Sequence, residues 1–176
     1  EGIKPSAQAD RRTLLRRLWL DLLGLAPPLE ELEHLENEAT PGWYEQLVDR
    51  LLDSPHFGER WGRHWLDLAR FADGSGYDTD FPREHIWRYR QWVIEAHNRD
   101  LPYDVFSRYQ LAGDLIPQRT GEAIIATGLH CLTLWRPIKQ PELIRYREVI
   151  DRVNTTGTIW LGLSLGCVQC HDHKYD

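Results

Sequence analysis

No run of about 18 apolar residues occurs anywhere in the chain, so the sequence holds no helix able to span a membrane. Internal repeats, low-complexity tracts and a secretory signal pattern are absent as well. No stretch alternates convincingly between apolar and polar residues, which argues against strands and for an all-α chain. Positive charge is in deficit: 21 Lys and Arg face 27 Asp and Glu, for a formal net charge of −6. That balance disfavours nucleic acid as a partner and suits a basic protein surface better. Cysteine is scarce. There are three, and Cys167 and Cys170 share one short motif, which argues against a disulfide framework. Methionine is missing altogether.

Tryptophan, by contrast, is abundant, with eight residues. The most informative stretch closes the chain: Gly166-Cys167-Val168-Gln169-Cys170-His171-Asp172-His173-Lys174. C-x-x-C-H is the attachment motif of a c-type haem. Each sulfur can form a thioether to a haem vinyl group, and His171 then stands below the iron as the proximal axial ligand. Two other chemistries use similar residues. Structural zinc wants four ligands, commonly supplied as two sequence pairs. Cys131 is the sole remaining cysteine, so two cysteine pairs cannot form, and a Cys2His2 set from scattered residues stays open. A thioredoxin-like pair belongs in a βαβ setting, and none is legible. One covalent haem c is therefore the expected cofactor.

In chain order, Asp10 is placed to cap a helix reaching about residue 23, with Leu14, Leu15, Leu18, Leu22 and Leu25 on one face. A short acidic helix carrying an exposed His34 is expected over 29–37, beyond Pro27-Pro28. Thr40-Pro41 and Ser54-Pro55 each read as a cap followed by proline at the first helical position. Residues 73–82 read as a flexible polar connection, including Asp78, without the spacing of a calcium loop. Further helices are expected over 84–98, 103–115 and from Thr120 to about His130, then a loop over 135–141 and one long helix over 142–165, interrupted near Gly157. The arginines of the 84–98 helix, Arg88 and Arg90, are expected to pair with acids such as Asp67 or Asp73.

Without methionine, the His/Met axial pairing of small cytochromes cannot be made within this chain. A second ligand would have to be histidine. Phe57, Trp61, His64, Trp65, Leu68 and Phe71 recur at steps of three and four, which puts them on one helix face. His64 thus sits in a tryptophan-rich stripe, with Trp61 and Trp65 as candidates to wall a flat cofactor. It is the first candidate for the distal ligand and His130 the second. The plain alternative for His64 is a buried histidine bonded to a carboxylate or carbonyl. His173 is too close to His171 in sequence to reach over the ring.

Six stretches taken together carry a resemblance. They are residues 17–25 (RLWLDLLGL), 58–70 (GERWGRHWLDLAR), 98–104 (NRDLPYD), 110–115 (QLAGDL), 151–157 (DRVNTTG) and 166–176 (GCVQCHDHKYD). In this combination the chain resembles the planctomycete-type cytochrome family, the DUF1549 or PSCyt2 domain, over essentially its whole length. The resemblance implies an exported haem domain, usually embedded in a large protein. Such a domain often follows another cytochrome-like domain, precedes a DUF1553 domain, and is encoded among sulfatases and polysaccharide-degrading enzymes. The family's activity is poorly defined. His64, His130 and His173 fall at motif positions, whereas His97 sits where members look apolar. The tract from Cys131 to Arg136 departs from the usual family sequence.

These observations lead to one expectation with two alternatives. Residues 1–176 should form a single all-α, multi-helix domain around a covalently attached c-type haem, as a fragment of a larger periplasmic or otherwise exported protein. The precursor would carry the signal peptide, since c-type attachment occurs outside the cytoplasm. The domain would transfer electrons, with bis-histidine ligation, to a redox partner protein or a neighbouring domain of the same polypeptide, rather than act as a catalyst by itself. The first alternative is a haem with an open sixth position, for small-ligand binding or peroxidase-like catalysis, where Trp61, Arg63 and His64 would be distal-pocket residues. The second is a structural metal site without haem, built on Cys167, Cys170 and His171 or His173.

Overall fold

Asp10 opens the first helix as its position predicts. Its carboxylate accepts the backbone N–H and the hydroxyl of Thr13, at 2.8 and 2.9 Å, and these bonds hold the Asp10 carboxyl below its ordinary value. The computed structural model describes residue 2 and residues 4–38, 40–76, 80–133 and 140–172. Along it run α1 (Arg11–Leu22), α2 (Leu29–Asn37), α3 (Trp43–Leu52), α4 (Pro55–Leu68), α5 (Trp87–Asn98), α6 (Tyr103–Ala112), α7 (Gly121–Ala126) and α8 (Pro141–Thr156). A 3-10 turn, Thr127–Cys131, extends α7. Past α8 come a wider π-helical turn, Gly157–Leu161, and a 3-10 turn, Leu165–Gln169. Among the described residues, β pairing is limited to one isolated bridge between Gly74 and Pro82. The chain is all-helical, as expected. The expected loop at 135–139, Asp78 and His173 lie outside the described residues.

Local signals succeeded where a side chain could reach the first turn. Ser54 accepts from the N–H of His56 and Thr120 from that of Ala123, so α4 and α7 start where their caps predict. Thr40 is a correction. Its hydroxyl donates to Glu38 instead, and α3 begins at Trp43, after Gly42 turns the chain through a left-handed φ of +73°. The described parts of the connection after Asp73 are held by hydrogen bonds. Ser75 N–H donates to the carbonyl of Phe81 at 2.9 Å, and Asp73 accepts from Arg90 at 2.8 Å. The helix expected from residue 84 starts at Trp87, because the preceding turn pairs Ile86 with Arg83 and Tyr89 with Ile86 in three-residue steps.

Two apolar clusters form. Leu15, Trp19, Leu47 and Leu51 join α1 and α3, with Leu35 from α2. The larger cluster unites α5, α6 and α7 through Tyr89, Trp92, Val93, Phe106, Ala126 and Leu129, with Trp65 of α4 packed against it. Trp92 and Phe106 stack nearly parallel, with ring centroids 5.0 Å apart. The polar side chain of Gln110 is buried completely. Its amide oxygen accepts from the Tyr89 hydroxyl at 2.6 Å and from Trp65 Nε1 at 2.8 Å, and its amide nitrogen donates to the carbonyl of Phe106. Burial pushes the Tyr89 phenol up, so it stays a neutral donor. This network fixes the rotation of Trp65 toward the interior.

The stripe of α4 packs differently from its apolar pattern. The buried positions are Gly58 and Gly62, not Trp61 and His64. A Cβ at Gly58 would stand 2.3 Å from the backbone oxygen of Ile94, and one at Gly62 would touch Val93 and Ile94. Glycine here lets α4 and α5 approach almost backbone to backbone. Trp61 and Leu68 are therefore left 40% and 49% exposed, and His64 is exposed too. The expected stripe is the edge of the buried face, and its members Trp65 and Phe71 pack half-buried against the core.

Candidate functional site

The C-x-x-C-H motif is delivered by the irregular end of α8. Gly157 begins the π-helical turn, where Leu165 packs so closely that a Cβ would meet its side chain at 2.5 Å. Leu163 N–H returns to the Gly157 carbonyl at 3.0 Å, and Gly162 turns the chain at φ +67°. Asn154 then fixes the returning strand of chain: its side-chain oxygen accepts the Gly166 N–H at 2.6 Å. Cys167 follows at once. The 3-10 turn closes with the Cys170 N–H on the Cys167 carbonyl at 3.2 Å.

Both cysteines of the motif are free thiols and exposed, as is Cys131. His171 is exposed, and its Nδ1 lies 2.7 Å from the carbonyl of Asp172. A carbonyl only accepts, so Nδ1 carries the proton and Nε2 keeps its lone pair for another partner. Around the motif, Leu161, Leu163 and Val168 are 65%, 39% and 42% exposed. The motif thus presents two thiols, one imidazole nitrogen and a margin of uncovered apolar side chains.

The scaffold beneath is tied to α4. Arg70 holds Asp151 of α8 in a two-pronged ion pair, at 2.7 and 2.8 Å. Arg70 adopts φ +60°, unusual for a residue with a side chain. Trp65 and Trp160 meet edge to face at 5.6 Å, and Trp160 Nε1 donates to Ser107 of α6. Burial pushes the Asp151 carboxyl up, but hydrogen bonds from Arg70 and Thr133 and the charges of Arg70 and Arg152 outweigh it, so the net shift is downward from 3.8. A carboxylate depressed in the folded state adds stability above its unfolded value and loses it as pH falls through the lower folded value. Asp151→Asn should therefore lower Tm by a constant amount near neutrality, and the gap to the parent should close as pH falls below the ordinary carboxylate range. Thermal melts followed by circular dichroism across that range test this; a gap independent of pH would assign the effect to packing. Arg70 is 41% exposed, so the gap should also shrink in high salt.

The histidines expected to complete the site are spread over the fold. His64 lies on the outer side of α4 with its ring 5.4 Å from that of Trp61. Exposure replaces the buried setting expected for it, because the glycine face of α4 takes the interior. His130 is half-buried at the end of the turn after α7. Its Nε2 faces the Leu111 carbonyl at 3.4 Å, and its own carbonyl accepts from Arg152 of α8 at 3.2 Å. Arg152 and Asn154 are two positions apart on α8, and at about 100° per residue they point to opposite sides. His130 and the motif thus stand on opposite sides of that helix. A cavity of about 810 Å3 lies on the His130 side, between Arg83, Tyr89, Ile125, His130 and Arg152. His97 is half-buried, its Nδ1–H on the Val93 carbonyl at 2.8 Å. Among the described residues, no three His, Cys, Asp or Glu side chains gather as a metal cage, and no helix is long and apolar enough to cross a membrane.

Sequence reasoning passed over Asn154, Arg70, Asp151 and Gln110, which hold the site's frame. Asn154 carried a faint signal, as a polar residue just before the Thr-Thr-Gly break in the helix. The pairing of Arg70 with Asp151 gave none, since 81 positions separate them, although both lie in stretches that carry the family resemblance. Comparison with known proteins adds one match. The family model described as PSCyt2, protein of unknown function (DUF1549), covers residues 1–176. No curated protein and no solved structure matches the chain.

Proposed function

The chain belongs to the PSCyt2 (DUF1549) family, and from that premise we propose that it is a c-type cytochrome domain that holds one haem through Cys167 and Cys170 and passes electrons. The observation that carries this reading is the state of the motif: two free, exposed thiols and an imidazole with Nε2 available, on a turn anchored to α8. The donor set fits the group. Thioether formation needs reduced sulfurs open to an incoming porphyrin. A metal-binding histidine characteristically donates its other ring N–H to a carbonyl, as His171 does to Asp172. Bound there, a haem supplies a one-electron iron couple. The chain's own part is to hold and orient it. Cys167 and Cys170 tether the ring, His171 offers its proximal nitrogen, and Leu161, Leu163 and Val168 provide apolar cover. Asn154 keeps the turn in place.

For the sixth position His64 is the preferred residue. It is exposed, and no hydrogen bond engages its ring among the described residues. His130 is second, since its Nε2 is occupied and α8 stands between it and the motif. Trp61, beside His64, is the aromatic wall nearest this assignment, whereas Trp65 is committed to the interior. The domain would serve a redox partner protein or a neighbouring domain of its own polypeptide, in the periplasm or another exported location where c-type attachment takes place.

Absorption spectra of oxidised and reduced protein test the reading. A Soret band that survives denaturation and acid extraction is expected, with a six-coordinate low-spin pattern that changes to high spin in His64→Ala. A spectrum unaltered in His64→Ala would remove His64 from the iron. Rapid binding of carbon monoxide by the unmodified reduced protein would assign an open sixth position. A protein without a Soret band but with stoichiometric zinc would overturn the haem reading.

A further inference from the structure

A second, smaller cavity of about 250 Å3 opens between the start of α4, the end of α5 and the start of α6. The aromatic residues Phe57, Trp61, Trp65 and Tyr103 line it together with Asp100. No lysine or arginine and no residue of the Cys167–His171 motif is among its described lining. Trp65 is locked by Gln110 and set edge to face against Phe106 at 4.7 Å, while Phe57 and Trp61 stand 6.2 Å apart and tilted by 37°. An aromatic face is the negative end of a quadrupole, so a space bordered by several aromatic residues can attract a cation.

Asp100 adds a full charge of the same sign, and its backbone makes its presence informative. It sits at φ +49°. Its N–H bonds the His97 carbonyl and the Leu101 N–H bonds that of Ala96, a helix cap that glycine closes without strain. Stability alone would favour glycine at this position, and the carboxylate is there in spite of it. We propose that the cavity binds a small quaternary ammonium compound of the choline type, its methyl groups against the rings of Trp61, Phe57 and Tyr103 and its charge facing Asp100. Such a cation needs aromatic faces and a counter-charge, and no hydrogen bonds. A sugar would ask for more donors and acceptors than His97, Asp100 and the Tyr103 hydroxyl supply.

Titration calorimetry on the full chain, with whatever cofactor it carries when purified, tests this with choline, tetramethylammonium and 3,3-dimethylbutan-1-ol, the neutral isostere of choline. Both cations should bind, and the neutral compound should bind roughly tenfold more weakly or not at all. Trp61→Ala should weaken choline by about tenfold. Asp100→Gly should weaken it several-fold while Tm stays level or rises, because the substitution relieves the left-handed cap. Absence of cation binding, equal binding of choline and its isostere, or undiminished binding in Asp100→Gly would each overturn the proposal.

Discussion

Cys167→Ser with Cys170→Ser should abolish the haem-stained band on a denaturing gel while leaving the far-ultraviolet circular dichroism spectrum and the cooperative melt of the protein portion intact. The expected loss is total, because a c-type tether has no substitute in this chain. Cys131 ends the 3-10 turn after α7, outside the motif, and serine forms no thioether. The fold should be spared for an equally plain reason. Cys167, Cys170 and His171 are exposed, and the hydrogen bond that docks their turn runs from the backbone of Gly166 to Asn154, not from a cysteine. Single variants sharpen the result: either cysteine alone should leave one thioether and a shifted reduced spectrum, and His171→Ala should keep the covalent haem but lose the proximal nitrogen. If the double variant unfolded, or lost zinc rather than haem, the motif would be a structural metal site. Asn154→Ala gives an independent check, since it should loosen the turn and lower the yield of covalent haem without touching any attaching atom.

The part of this site visible in the sequence was the part written in adjacent residues. C-x-x-C-H is a local pattern, and local chemistry needs no tertiary knowledge. Asp10, Ser54 and Thr120 were legible for the same reason: a side-chain oxygen finds an N–H two or three residues on. Thr40 failed because Gly42 redirected the chain between the cap and its helix. The sixth ligand was not legible, since choosing among eight histidines requires knowing which side of which helix each occupies. His64 looked buried because tryptophan and leucine recur beside it. Hydrophobicity ranks those residues as interior and says nothing of glycine. In α4 the closest contact is made by the residues with no side chain, and the large rings stand at its margin.

Gly58→Ala should accordingly damage the helical scaffold strongly, lowering stability by about 4 kcal/mol. One methyl group is added, yet it would stand 2.3 Å from the Ile94 carbonyl and 2.6 Å from the Asn98 side-chain oxygen, where no real Cβ is found. Neither neighbour can give cheaply. Ile94 is backbone in the middle of α5. Asn98 accepts the Gly58 N–H at 2.7 Å and donates to the Pro55 carbonyl at 3.0 Å, so moving it exposes a donor in the first turn of α4 that has no other partner. The helices must separate, which costs about 1–3 kcal/mol as overpacking, and breaking the Asn98 bridge adds about 1–3 kcal/mol more. Gly62→Ala is the matched control. Its Cβ would meet Val93 at 3.4 Å, an ordinary contact, and alanine favours the helix by about 1 kcal/mol over glycine. Urea unfolding of the two variants should therefore move in clearly different degree, with Gly62→Ala near the parent. Equal, small effects would mean that α4 slides on α5 freely, and the aromatic edge of α4, with His64 and Trp61 on it, could then turn inward as the apolar pattern alone suggests.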